Sequence, residues 1–220
     1  ALYFKCDAHL YPNKVMNSLL NYLRSAGVQF NVQQAVTGFE RAGSNITAVK
    51  TTKGKYAGDI VVLASGSWSR ELAATAGLKI PIMPGRGYSI TLEDSPNKLN
   101  HPAVLMEGRV AITPMDGNKI RFGGTMEITR TSEPPRMGRV AGIIKAVKRY
   151  FPEYEIPLPA EKDVWYGFRP CSADGMPYIG RSKNIPNLIV ATGHAMVGMS
   201  LGAGTGQLVA AIANEQPTAV

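Results

Sequence analysis

The alternation of apolar and polar residues predicts short helices and strands in the first third of the chain. Apolar residues recur at helical spacing after Pro12 and stop at Gly27, which predicts a helix between these two residues. The turn residues 42–45 separate two alternating segments, which predicts a hairpin. The continuous apolar run 59–64 is typical of a strand buried on both faces of a parallel sheet. Strands are therefore predicted at residues 2–5, 28–32, 35–40, 46–52 and 59–64.

From residue 81 to about residue 168 the pattern changes to strands of the antiparallel kind. Within this stretch, residues 136–151 have apolar positions at helical spacing and predict an amphipathic helix. Residues 188–213 are too rich in polar residues and glycine for a membrane span, and predict a buried strand followed by a buried helix. Strands are predicted at residues 88–92, 103–106, 110–113, 119–124, 164–169 and 187–192. The chain thus leaves one layer type near residue 80 and returns to it near residue 173, which favours an α/β part combined with an α+β part.

Length and composition are those of a globular protein. The chain has 220 residues, of which 45% are hydrophobic, and this is enough for one substantial core or two small ones. Cys6 and Cys171 lie far apart and form no CxxC pair, so neither a disulfide framework nor a metal site is predicted. The opening residues lack the pattern of a signal peptide, so a cytoplasmic location is expected.

A formal net charge of +8 makes acidic partners, including nucleic acid, a hypothesis to consider. The charges are scattered along the chain, and the densest group lies on the predicted helix 136–151. Helical spacing of its apolar residues favours a solvated basic face; contact with a membrane surface or with a partner protein is the alternative. The basic residues of this helix are Arg136, Arg139, Lys145, Lys148 and Arg149.

The end of the apolar run 61–64 is a first candidate ligand site. Ala64, Ser65 and Gly66 are small, and small residues at the carboxyl end of a parallel strand let the backbone approach a ligand. A tight turn with Ser67 as helix N-cap is the structural alternative.

A second candidate site surrounds Arg169, which stands among aromatic and apolar residues. A buried guanidinium is costly unless it meets an anion, and its planar fork fits a carboxylate in two parallel hydrogen bonds. An amino acid substrate would supply such a carboxylate. A structural ion pair with an internal Asp or Glu is the alternative.

A third candidate site lies at Gly193 and His194, where a glycine-rich helix begins. Free backbone N–H groups and the positive end of a helix favour an anionic or electron-rich ligand. Close helix packing for Gly202 and Gly206, and a core position for His194, are the alternatives. Spacings typical of a metal site, a GxSxG elbow or a P-loop do not occur in the sequence.

Six segments, spread in order along nearly the whole chain, together form a recognisable pattern. They are AVTGFE, VVLASGSWS, PGRGYSITL, VAITPMDGNKIRFGGTMEI, GFRPCSADGMPYIG and ATGHAMVGMSLGAGTGQLV. In this order and spacing they resemble the D-amino acid oxidase family of flavoproteins, and within it the D-amino acid dehydrogenase branch. The resemblance implies a partial Rossmann-like FAD-binding domain at residues 1–80 and 173–220, and an antiparallel-sheet substrate domain at residues 81–172.

The resemblance also implies roles for individual residues. Arg169 matches the family arginine that holds the substrate carboxylate, and is the expected catalytic residue. Further substrate contacts are expected from Tyr88, Tyr166 and Met196. FAD contacts are expected from Val36, Ala64, Ser65, Gly66, Trp68, Gly193, His194, Gly198 and Met199.

Three departures from the family pattern change the expectation. The glycine oxidase branch has a tyrosine at the position of Ala111, and it has a second arginine near the position of Met196. This chain has neither, so specificity for glycine or sarcosine is not expected. The family's opening strand and GxGxxG turn have no counterpart, so the chain is expected to be a fragment that lacks an N-terminal FAD-binding segment.

The expected reaction is oxidative deamination: FAD accepts a hydride from the α-carbon of an amino acid, and water hydrolyses the imino acid. Two alternatives stay open. One is an FAD enzyme that acts on another amine or on a 2-hydroxy acid, and the other is a non-catalytic anion-binding module. A homodimer, contact with an electron acceptor and a position at the inner face of the cytoplasmic membrane are further hypotheses.

Overall fold

The computed structural model describes residues 2–6 and 8–218, and the chain divides into two compact units. The first unit comprises Ala1–Gln33, Ser89–Thr125 and Arg136–Val164. The second unit comprises Gln34–Tyr88, Met126–Pro135 and Trp165–Val220. The domain boundaries expected at residues 80 and 172 stay a prediction.

Helices and strands alternate irregularly along the chain. The helices are α1 (Pro12–Ser25), α2 (Ser69–Thr75), α3 (Met137–Tyr150) and α4 (Gly198–Ala213), with 3₁₀ turns at Gly66–Trp68 and Glu161–Asp163. The strands are β1 (Val36–Ala42), β2 (Asn45–Thr51), β3 (Lys55–Tyr56), β4 (Val61–Leu63), β5 (Ile82–Leu92), β6 (Ala103–Leu105), β7 (Val110–Pro114), β8 (Ile120–Ile128), β9 (Trp165–Ser172), β10 (Tyr178–Arg181) and β11 (Leu188–Thr192).

Neighbouring strands include both antiparallel and parallel pairs. The sheet orders are β1-β2-β3, β10-β11-β4 and β6-β7-β8-β5-β9. β11 runs parallel to β4, with Val190 opposite Leu63. This register places the carboxyl ends of β4 and β11 side by side, which is where open α/β folds bind ligands.

The second unit contains an apolar core built from strands and the short helix α2. Its buried members are Phe39, Ile46, Leu63, Ala73, Ala76, Ile80, Ile82, Ile185 and Leu188. Asn187 links β2 to the start of β11: its side chain accepts a hydrogen bond from the Ile46 N–H at 2.9 Å and donates one to the Ile46 carbonyl at 2.8 Å. A half-buried amide that satisfies both backbone groups in this way ties β2 to the start of β11.

The first unit buries one face of the amphipathic helix α3. Val140, Ile143 and Val147 are fully buried. A Cβ atom on Gly124 of β8 would lie 3.1 Å from Cγ1 of Ile143, so the missing side chain lets the helix approach the strand closely. The basic residues of α3 lie on its exposed side, which confirms the predicted amphipathic helix.

Several other predicted elements are confirmed. These are the helix after Pro12, the hairpin of β1 and β2, the parallel strand β4, the antiparallel strands between residues 103 and 128, and the strand and helix that close the chain. In the part of the chain that the structure describes, no helix has the length and apolar character needed to cross a bilayer.

Four predictions are wrong. Residues 2–5 and 28–32 form no strand, because an apolar run becomes a strand only where a neighbour completes its hydrogen bonds, and the described chain provides none there. Burial of the 59–64 strand on both faces is wrong, since Val62 is 44% exposed. The predicted buried helix is also wrong, since α4 has no buried residue. Nothing in the described chain covers these two surfaces.

Candidate functional site

A chain of hydroxyl groups joins the carboxyl ends of β4 and β11 in the second unit. Ser69 donates to the hydroxyl of Thr192 at 3.1 Å, and Thr192 donates to the Gly66 carbonyl at 3.1 Å. The hydroxyls of Ser65 and Ser69 are 3.1 Å apart, and the bond from Ser69 to Thr192 leaves Ser65 as the donor of this pair. Such a chain fixes the turn after β4 against the end of β11.

The turn after β11 is held in an unusual backbone conformation. Gly193 has φ 90°, and a Cβ there would lie 3.4 Å from the backbone nitrogen of Tyr178, so both its conformation and its neighbour favour glycine. Ala195 has φ 46°, and this backbone conformation is energetically unfavourable for any residue other than glycine. Its N–H donates to the Pro170 carbonyl at 2.9 Å, which ties this turn to the end of β9.

The amino end of α4 follows this turn directly. The Nε2 atom of His194 lies 2.8 Å from the Thr205 hydroxyl on α4, so the histidine holds the helix in place. No side-chain hydrogen bond caps α4 at Val197. The first N–H groups of the helix are thus available to a ligand.

Two serines near these strand ends are further candidates for ligand contacts. The side-chain oxygens of Ser67 and Ser172 are buried, and neither has a hydrogen-bond partner among the described residues. Buried hydroxyls without a partner are uncommon, and a bound ligand with polar atoms would satisfy them.

β5 and β9 carry different chemistry on their two faces because successive side chains of a strand point in opposite directions. On one face, the ring centroids of Tyr88 and Tyr166 are 6.3 Å apart, and those of Tyr166 and Phe168 are 5.8 Å apart. On the same face, Trp68 from the 3₁₀ turn lies edge-on to Phe168 at 6.3 Å. The aromatic wall formed by these four residues therefore connects β9 with the turn after β4.

Arg86 lies beneath this aromatic wall and is fully buried. Its Nε donates to Oε1 of Glu127 at 2.9 Å, and its Nη2 lies 2.8 Å from the same oxygen. The Tyr88 hydroxyl donates to that oxygen at 2.7 Å, and Nη1 of Arg86 donates to the Glu133 carbonyl at 2.7 Å. The guanidinium carbon is 5.5 Å from the centre of the Tyr166 ring. This arginine thus has an internal carboxylate partner.

This ion pair is absent from the expectations drawn from the sequence. Arg86 stands in an apolar segment, as Arg169 does, so the cost of burying a guanidinium would have singled it out by the same argument. Tyr88, an expected substrate contact, is 1% exposed, and its hydroxyl is bonded to Glu127. In this structure it joins the aromatic wall to the buried ion pair.

Arg169 lies on the opposite face of β9 and differs from Arg86 in its surroundings. It is half-buried, and no carboxylate pairs with it among the residues described. Its guanidinium lies across Gly87 of β5: a Cβ on Gly87 would be 2.8 Å from Cζ and 2.9 Å from Nη2. The alternative of an internal ion pair therefore applies to Arg86, and Arg169 presents a guanidinium that an external anion can reach.

Cys171 lies on the same face as Arg169, two residues along β9. Its sulfur is 3.7 Å from the sulfur of Met126, and the residue is buried. Burial raises the pKa of the Cys171 thiol, and the nearby Arg169 charge opposes this shift more weakly. The thiol is therefore a packing group at neutral pH.

A difference in reactivity between the two cysteines is expected from this environment. Because the raised pKa leaves less thiolate and burial blocks access, Cys171 should react with iodoacetamide at pH 8 at least about tenfold more slowly than the exposed Cys6. Mass spectrometry of the digested protein measures both rates, with Cys6→Ser as the control. Equal rates in the folded protein would contradict the burial of Cys171.

The remaining expected site residues differ in their distance from these strand ends and in their exposure to solvent. Val36 starts β1 at an exposed position and lies in the hairpin sheet. Met196 and Met199 are more than half exposed, at the start of α4. Hydrogen bonds and ring contacts link Ser65, Gly66, Trp68 and Tyr166 through their neighbours. Arg169 lies against Gly87, Gly193 lies beside Tyr178, and His194 is bonded to Thr205.

Comparisons with known proteins agree with this arrangement. Residues 1–212 match the family described as FAD dependent oxidoreductase. A D-amino acid dehydrogenase from Granulibacter bethesdensis is 34% identical over 206 residues, which are 93% of this chain and 47% of that protein. One from Neisseria meningitidis is 34% identical over 217 residues, 97% of this chain and 50% of that protein. The chain spans about half the length of the curated relatives it matches.

Solved structures show the same fold. Glycine oxidase from Geobacillus kaustophilus matches with a TM-score of 0.81 at 28% identity, over 92% of this chain and 54% of that one. L-proline dehydrogenase from P. horikoshii matches with a TM-score of 0.78 at 23% identity, over 94% of this chain and 56% of that one.

Proposed function

Because the chain belongs to the FAD-dependent oxidoreductase family that it matches over residues 1–212, we propose that it supplies the carboxylate contact and part of the flavin site of a D-amino acid dehydrogenase. The observation that carries the proposal is Arg169, a half-buried guanidinium without an internal carboxylate among the described residues. The names of relatives at 34% identity support an amino acid as the substrate.

The residues at the strand ends fit a flavin. Gly193 and the uncapped start of α4 offer backbone N–H groups and a positive helix end to the carbonyl and N1 region of the ring. The Ser67 hydroxyl, buried without a partner, offers a further donor beside Ala64–Gly66. FAD, when bound, supplies the acceptor for the hydride that leaves the α-carbon.

Arg169 then acts by positioning. Two parallel hydrogen bonds fix the position and plane of the substrate carboxylate, and a second contact with the substrate then fixes rotation about the bond from the carboxylate to the α-carbon, so that the C–H bond points in one direction. Tyr166 is 38% exposed on the opposite face of the edge strand β9 and is also a proposed contact for the substrate. Met196 is the proposed further substrate contact.

The reaction needs no strong base from these residues. The α-carbon loses a hydride and the amino nitrogen loses a proton, which gives an imino acid that water hydrolyses to a 2-oxo acid and ammonia. An amine that binds in its neutral form keeps its lone pair for the C=N bond, and its N–H proton leaves to water.

We also propose a cytoplasmic location, in which the basic side of α3 contacts an electron acceptor or a membrane face.

The handedness of the substrate tests this proposal directly. We expect D-amino acids to bleach the flavin of the enzyme anaerobically at least about tenfold faster than their L-enantiomers, because the Arg169 contact with the carboxylate and a second contact with the substrate together present one face of the α-carbon. Stopped-flow absorbance at the flavin band measures the rates, and a 2-hydroxy acid serves as the comparison. Faster bleaching by L-amino acids, or by the 2-hydroxy acid, would overturn the assignment.

A further inference from the structure

Gly87 lies beneath Arg169, and its position leaves no room for a side chain. Gly87 lies in the middle of β5, where a glycine weakens a strand unless its missing side chain serves a purpose. Its φ angle lies outside the left-handed region, so its backbone conformation is open to any residue. The reason for glycine at this position is therefore space.

The atoms nearest to the space above Gly87 belong to the end of the Arg169 side chain. The three atoms nearest to a Cβ on Gly87 would be Nη1, Cζ and Nη2 of Arg169, with Cζ at 2.8 Å. The Nη1 end of the guanidinium therefore occupies the place where a Cβ on Gly87 would stand. A methyl group there would meet the far end of a flexible side chain, which can move away without disturbing the strand.

Gly85 makes a useful contrast on the same face of β5. A Cβ on Gly85 would lie 2.6 Å from Sγ of Cys171 and 2.9 Å from Sδ of Met126. Cys171 is buried, so added volume at Gly85 disturbs packing. At Gly87 added volume first meets the guanidinium of Arg169.

From this geometry we propose that Gly87 is a positioning residue, which sets the height and orientation of the Arg169 guanidinium and through it the capture of the substrate carboxylate. The inference rests on the proposed role of Arg169. A methyl group at residue 87 would overlap with the guanidinium and displace it. A two-point contact with a carboxylate is sensitive to such a displacement.

The test measures binding as well as turnover in the flavin-loaded enzyme. Calorimetry with propionate, a carboxylate without an amino group, should show affinity reduced about tenfold or more by Gly87→Ala, and KM for the amino acid should rise in parallel with a smaller change in kcat. Gly180→Ala is the matched control, because Gly180 is also a strand glycine and a Cβ there meets nothing within 4 Å.

A double-variant cycle with Arg169→Ala separates a direct from a transmitted effect. If Gly87 acts through Arg169, then Gly87→Ala should change propionate affinity by less than about twofold in the Arg169→Ala background. Equal effects of Gly87→Ala in both backgrounds, or normal propionate affinity in Gly87→Ala alone, would overturn the inference. Normal propionate affinity in Arg169→Ala would instead overturn the proposed function.

Failure of Gly87→Ala to fold would also be informative. The clash that the structure shows is with the Arg169 side chain, so truncating that side chain should restore folding, measured by circular dichroism and thermal unfolding. Restored folding in the double variant supports the contact. Persistent unfolding would show that Gly87 serves the backbone, against the inference.

Discussion

Arg169→Lys is expected to lower kcat/KM for a D-amino acid by roughly tenfold to a thousandfold, which corresponds to about 1.4–4 kcal/mol of lost transition-state binding. Lysine keeps the positive charge but presents a single point of contact, so the carboxylate can rotate and the C–H bond loses its fixed direction. Steady-state kinetics of the flavin-loaded enzyme measure the effect. Flavin content and thermal stability should stay unchanged, because Arg169 makes no ion pair with the residues described.

Two comparisons make this result specific to the carboxylate. An amine substrate without a carboxylate should be turned over equally by Arg169→Lys and the unchanged enzyme, since the lost contact does not involve it. Arg24→Lys, at an exposed position of α1, is the control for replacing an arginine as such. If kcat/KM for the amino acid falls less than about threefold in Arg169→Lys, the arginine is structural.

Local patterns were enough to predict most of the fold. The helices α1 and α3 follow from apolar spacing and from Pro12 and Gly27 as end signals, and the β1–β2 hairpin follows from alternation around a turn. The parallel pair of β4 and β11 follows from two continuous apolar runs. Each of these signals lies within about ten to twenty residues of sequence, a range in which spacing alone determines which face is apolar.

The remaining features depend on contacts between distant residues, which one sequence does not reveal. Residues 2–5 look like a strand but have no neighbour to pair with in the described chain. Arg86 and Glu127 are separated by 41 residues, so nothing in the sequence links their charges. Gly87 and Arg169 come together only because β5 and β9 are neighbours in the sheet. The motif around Arg169 is enough to predict its role, but its contact with Gly87 is visible only in the structure.

Glu127→Ala is expected to produce the largest loss of stability, about 3–5 kcal/mol in the free energy of unfolding, because it leaves the fully buried Arg86 guanidinium without its carboxylate. The same change removes the acceptor of the Tyr88 hydroxyl. Urea unfolding followed by tryptophan fluorescence measures it, since Trp68 and Trp165 both belong to the unit that contains this ion pair. Glu153→Ala, at an exposed position, is the matched control and should change stability by less than about 0.5 kcal/mol.

A variant that removes both charges distinguishes the cost of an unpaired ion from the loss of packing. In Arg86→Met/Glu127→Leu no buried charge remains, so much of the loss should be recovered, as apolar replacement of a buried ion pair is often neutral. Recovery should stay incomplete, because the Tyr88 hydroxyl and the Glu133 carbonyl each lose a hydrogen-bond partner. If the double variant is less stable than Glu127→Ala, the ion pair stabilises the aromatic wall by its shape, and the electrostatic explanation of the Glu127→Ala loss is wrong.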